Sequence, residues 1–132
     1  MKDCLFCKII NDEIPSMKVY EDDVVLAFLD IDPNSDGHTL IVPKMHYTDI
    51  NDISEDVLLH IYKSSKKVMD ILSNKLKPDG FTLIQNNGIT QEVKHYHLHV
   101  VPAYSNKKSH EFNKIKENIS DPKEVYEKIK EA

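Results

Sequence analysis

Three of the chain's seven histidines fall in the stretch HYHLHVV, residues 95–101. In extended backbone, alternate side chains share a face. His95, His97 and His99 therefore form one row, and Tyr96, Leu98 and Val100 the opposite one. The apolar row needs a core, whereas the imidazole row needs a pocket or water. Distance excludes one metal ion held by all three, because residues i and i+4 of a strand lie ~13 Å apart and zinc–nitrogen bonds are only ~2.0–2.1 Å. An adjacent pair could share an ion. Chemistry by the imidazoles themselves is the better fit. A neutral imidazole attacks phosphorus, and a neighbouring imidazolium gives up a proton, both near neutral pH. The middle histidine is placed to attack, and its neighbours to orient, protonate or stabilise charge. An inert histidine-rich surface strand is the bland alternative, and strict alternation beside the turn Asn86-Asn87-Gly88 weighs against it.

The elements that must position this row can be read outward from it. FTLIQNN (81–87) and KHYHLHVVP (94–102) read as the last two strands, and MKVYED, DVVLAFLDI and HTLIVP as three earlier ones. Residues 54–75 carry apolar residues at three- and four-residue steps, from Val57 to Leu72, which predicts one long helix capped by Ser54. CLFCKIIN suits a short N-terminal helix, and a C-terminal helix is predicted over about 121–131, with Pro122 in its first turn. This order predicts an α+β fold with an antiparallel sheet.

At 132 residues the chain is expected to be a single domain, with no internal repeat. A formal net charge of −5 disfavours a nucleic-acid polymer as the main partner. No apolar run approaches the ~20 residues that span a bilayer, and the N-terminus lacks the pattern of a signal peptide. The expected location is cytoplasmic. In that reducing setting Cys4 and Cys7, spaced C-x-x-C, point to metal binding or redox chemistry rather than a structural disulfide. With only two cysteines, a zinc site would draw its other ligands from histidine. Buried unmetallated thiols and a redox pair are the alternatives. His38, His60 and His110 show no chemical pattern.

The alternation HYHLHVV, with CLFCKIINDEIPS, AFLDIDP, GHTLIVPKMHY and NNG in order upstream, resembles the histidine triad (HIT) family, in particular its Hint-like bacterial branch with an N-terminal C-x-x-C. The likeness covers roughly residues 3–104, leaving the rest as a C-terminal extension. It implies a five-stranded antiparallel sheet, dimerising into one continuous sheet. It also implies hydrolysis at the α-phosphate of nucleoside phosphoramidates or related nucleotidyl conjugates. His97 would form a nucleotidyl-histidine intermediate, His99 would face the phosphate and leaving group, and His95 would support them. Asp30 and Ile31 would meet the ribose, where a carboxylate suits vicinal hydroxyls. Leu5, Phe6, Ile9 and Phe28 would form the base pocket, and Asn86, Gln91 and Val93 would contact the phosphate of a purine nucleotide. The same resemblance gives a structural zinc ion with Cys4, Cys7, His46 and His95 as ligands.

One loop departs from the family pattern. GITQEVKH is shorter than usual before the triad, Thr90 replaces a glycine, and Glu92 stands where a serine usually meets phosphate. A carboxylate there repels phosphate unless it turns outward or meets a positively charged leaving group. A non-catalytic nucleotide-binding or scaffold protein, a dinucleoside polyphosphate hydrolase and an enzyme with catalytic zinc are the competing readings.

Overall fold

Strand alternation and one amphipathic helix build the molecule. The computed structural model describes residues 3–107 and 117–130. Its elements are α1 (Leu5–Ile10), β1 (Lys18–Glu21), β2 (Val25–Leu29), β3 (Thr39–Pro43), α2 (Glu55–Leu76), β4 (Gly80–Gln85), β5 (Leu98–Ala103) and α3 (Pro122–Lys130). The strands form one antiparallel sheet in the order β1-β2-β3-β5-β4. The α+β reading of the sequence, with five strands, a long helix and short terminal helices, is the fold observed. His110 lies outside the described residues, as does the predicted last residue of the C-terminal helix.

Each face of the sheet has its own core. Val25, Ala27, Ile41, Leu98 and Val100 meet Ile61, Val68 and Leu72 of α2 on one face. Leu26, Phe28, Leu40 and Val42 meet Phe6 and Ile9 of α1 on the other. Fully burying one such side chain is worth ~1.5–3 kcal/mol. The period-2 pattern of β2 and β3 thus feeds both cores. Ser54 caps α2 by accepting from the Val57 amide. Lys77, in the left-handed conformation, ends it before Pro78.

The fifth strand starts at Leu98, later than its sequence suggests. Its register with β3 pairs Ile41 with Leu98, so continuing it would set Pro43 opposite Tyr96. Proline has no N–H to offer the ladder. The Tyr96 amide instead donates to the Tyr47 carbonyl at 2.7 Å, and the Pro43 carbonyl accepts from the His95 ring at 2.9 Å. The chain leaves the ladder just where its first two triad histidines stand.

Candidate active site

Although His95 and His97 precede the regular part of β5, the row survives. The Phe6 ring of α1 meets His95 and His97 edge-on, at centroid distances of 6.0 and 5.0 Å. The His97 and His99 rings lie 4.9 Å apart. Tyr96, Leu98 and Val100 are buried on the α2 face, as alternation predicts. His99 sits within the ladder, opposite Leu40 of β3 and Ile84 of β4.

Backbone partners fix which ring nitrogens carry protons. A carbonyl oxygen can only accept, so His97 Nδ1, 2.7 Å from the His95 carbonyl, is the protonated nitrogen. Its Nε2 keeps the lone pair. A second chain begins at the Asn34 amide, which donates to His38 Nδ1 at 3.0 Å. His38 therefore carries its proton on Nε2 and donates to His99 Nδ1 at 2.9 Å. His99 is left with an N–H on Nε2. The site thus pairs a free imidazole lone pair with a neighbouring imidazole donor.

Burial dominates the acidity of these rings. It pushes His97 below the usual histidine range, against the opposing pull of the His95 carbonyl and the Asp30 and Glu92 carboxylates. His99 is pushed down to about 4 by burial, then by the neighbouring His97 and His38 rings. Burial also lowers His38, with Asp30 opposing. All three are neutral at pH 7, the form in which His97 has a nucleophilic lone pair.

Two cavities meet at His97 and His99. The larger, about 510 Å³, is mostly apolar and its lining includes Leu5, Phe6, Ile9, Phe28, Ile31, Val93 and Asp30. The smaller, about 250 Å³, is polar and is lined by Asn86, Thr90, His38, Asp30, Asp32 and Glu92. An apolar slot beside a polar one suits a base and a phosphate group. Gln91 lines neither cavity. Its amide donates to the Thr48 carbonyl at 2.7 Å and its side-chain oxygen accepts from the Gly88 amide, which holds the loop in place.

A third grouping lies beside the first. One ligand atom each from Cys4, Cys7, His46 and His95 comes within 4.8 Å of the others. Cys4 Sγ is 3.4 Å and Cys7 Sγ 3.6 Å from His95 Nδ1, and Cys7 Sγ is 3.4 Å from His46 Nδ1. Tetrahedral zinc with its ordinary bond lengths sets sulfur–nitrogen edges of ~3.5 Å. His95 donates from Nε2 to the Pro43 carbonyl, which leaves Nδ1 as the free donor atom facing the sulfurs. The residues fit such an ion. Asp30, His38 and His99 also cluster closely enough for a metal, but the Asn34 amide keeps the proton of neutral His38 on Nε2, the atom that would have to bind.

The structure adds one residue that sequence reasoning passed over. His38 is buried and bonded to His99, but a single histidine after a turn carries no periodic signal. The only hint was its place in GHTLIVP. His60 is remote from the triad and bonds Asp22 at 2.8 Å.

The HIT domain family model matches residues 11–106. An uncharacterised HIT-like protein of Methanocaldococcus jannaschii is 50% identical over 103 residues, which is 76% of this chain and 79% of that protein. The adenosine 5′-monophosphoramidase of Saccharomyces cerevisiae is 42% identical over 79% of this chain and 65% of its own length. An Arabidopsis thaliana adenylylsulfatase is 38% identical over 76% of this chain and 52% of its own. Among solved structures, a HIT family protein from Bacillus anthracis matches with a TM-score of 0.84 at 37% identity, covering 98% of this chain and 93% of that one. A zinc-bound histidine triad protein from Mycobacterium smegmatis matches with a TM-score of 0.79 at 32% identity, covering 88% and 85%. With its triad, its sheet and these likenesses in agreement, the chain belongs to the HIT family.

Proposed function

We propose that the protein is a nucleotide hydrolase that cleaves nucleoside phosphoramidates or related nucleotidyl conjugates at the α-phosphate through a covalent bond to His97. The observation that carries this is the locked His97 ring. Its Nδ1–H is held by the His95 carbonyl, and its free Nε2 belongs to a ring that lines both the apolar and the polar cavity. The phosphoramidase and adenylylsulfatase among its relatives support the class of reaction.

The base occupies the apolar cavity against Phe6 and Phe28, and Asp30 with Ile31 meets the ribose. Asn86, the backbone around Gln91–Val93 and His99 hold the phosphate. His97 Nε2 attacks phosphorus, a P–Nε2 bond forms and the bond to the leaving nitrogen breaks. That nitrogen takes its proton from His99 Nε2: with phosphate charge beside the ring, His99 takes up a solvent proton on Nδ1 as His38 turns its Nε2–H from His99 to Asp30, 3.6 Å away. Water then attacks phosphorus and gives a proton to His99 Nε2, the P–Nε2 bond breaks, and the nucleoside monophosphate departs. Positioned donors supply most of the stabilisation in such transfers.

Cys4, Cys7, His46 and His95 would hold a zinc ion, which when bound clamps the start of α1 to the sheet beside the site. Two copies would join along the open edge of β4, where Leu83 and Ile84 are partly exposed. Among the described residues no helix is long and apolar enough to cross a membrane. Release of AMP from adenosine 5′-phosphoramidate, lost in His97→Ala while AMP binding remains, tests the reading. AMP binding without turnover by the parent protein would favour the non-catalytic alternative.

A further inference from the structure

The polar cavity has an unusual charge for a phosphate site. Asp30, Asp32 and Glu92 all line it. Among the described residues, no lysine or arginine lines either cavity. The nearest lysine in sequence, Lys94, is turned onto the Gly88 carbonyl at 2.6 Å. A bound nucleotide therefore adds negative charge to a cavity already lined by three acidic residues.

These carboxylates are not equivalent. Asp30 accepts from the Asp32 amide at 2.9 Å and lies 3.6 Å from His38 Nε2, so its own turn and the histidine chain hold it. The Glu92 and Asp32 carboxylates have no hydrogen-bond or ion-pair partner among the described residues. Glu92 comes from the loop before β5 and Asp32 from the loop after β2. Both line both cavities, so they flank the junction where His97 and His99 stand. Charge lining a cleft discriminates between ligands by sign.

We propose that this site selects conjugates whose leaving group carries a positive charge, with Glu92 as the specificity-determining residue and Asp32 as its partner. The substrate class is a nucleoside phosphoramidate of an amine bearing a second, protonated nitrogen a few bonds away. The cation sits between the two free carboxylates while the P–N bond is cleaved. Leaving groups ending in carboxylate, sulfate or phosphate are rejected by the same wall. This inference rests on the hydrolase reading above.

The test compares three AMP amidates with the same two-carbon spacing, made from ethylenediamine, propylamine and β-alanine. The intact protein should rank them by kcat/KM as cationic, neutral, anionic. Glu92→Gln should narrow the ratio of cationic to anionic by about fivefold or more, the size of one close charge pair in water. Asp32→Asn should narrow it in the same direction, and added salt should narrow it in the parent protein. An unchanged melting temperature in each variant separates this from a folding defect. If the propylamine conjugate is cleaved but charge does not order the three, or the ratio survives both substitutions, the inference is wrong and the hydrolase reading stands. If neither these nor the unsubstituted phosphoramidate is cleaved, the hydrolase reading fails and the inference falls with it.

Discussion

His38 Nε2 lies 2.9 Å from His99 Nδ1, although the two residues are 61 positions apart in the chain. The β2–β3 turn delivers His38, and β5 delivers His99. The Asn34 amide upstream sets the direction of the hydrogen bond, so His99 must present its N–H from Nε2. His38 is thus a positioning residue. Its replacement by alanine frees the His99 ring to turn and to change tautomer. A fall in kcat of about 10- to 100-fold is predicted, with KM for the nucleotide conjugate changing little. An equal loss in KM and an unchanged kcat would show that His38 serves binding alone.

Gly37 should be as sensitive for a different reason. Its φ is +91°, and a Cβ there would lie 2.6 Å from Leu76 Cδ1 and 3.3 Å from Pro102 Cγ. The backbone conformation opposes a side chain, whereas Leu76 Cδ1, the end of a flexible and partly exposed side chain, can move aside. Gly37→Ala should cost roughly 1–2 kcal/mol and should disturb the adjacent His38. Denaturant unfolding checks the first effect and the phosphoramidase rate the second.

The zinc prediction separates structure from chemistry. Purified protein should carry about one zinc ion per chain, as expected for a four-ligand structural site. Removing it with a chelator should lower the melting temperature by roughly 10 °C, given ~2.7 kcal/mol from metal at a hundredfold excess over Kd. Cys7→Ser should behave like the chelated protein. A metal-free protein whose melting is indifferent to chelator would contradict this assignment.

Asp22 carries a stability prediction remote from the site. Burial works to raise its pKa, but His60, the Tyr20 hydroxyl and the Val25 and Val24 amides together hold it well below the usual carboxylate range. A depressed carboxylate contributes stability above its unfolded value of ~3.9 and loses it as pH falls below that. Asp22→Ala should therefore cost about 2–3 kcal/mol near neutral pH. The gap between variant and parent should shrink as pH falls below ~4. A gap that stays constant down to acid would show that the lost hydrogen bonds do not depend on the carboxylate's charge.

Much of this site was legible in the sequence because it is periodic. The alternation at 95–100 announces one face for chemistry and one for the core, and the apolar steps at 57–72 announce α2. The late start of β5 was not legible, because it depends on which residue lies opposite Tyr96, and register across a sheet is a tertiary fact. Pro43 can be recognised as unable to donate, but not as facing that position. His38 was missed for the same reason: its meaning comes from a partner brought near only by folding. The charge of the polar cavity is intermediate. Glu92 was visible as a departure from the family pattern, whereas its sharing of a cavity with Asp32 required the fold.

The proposed function stands or falls on a covalent bond between His97 Nε2 and phosphorus. Rapid mixing with adenosine 5′-phosphoramidate, quenching under conditions that spare the P–N bond, and peptide mass spectrometry test it most directly. An adenylyl group is expected on the peptide holding His97, formed and lost at rates that match turnover, and absent in His97→Ala. Turnover that continues in His97→Ala, or an adduct on another residue, would contradict it.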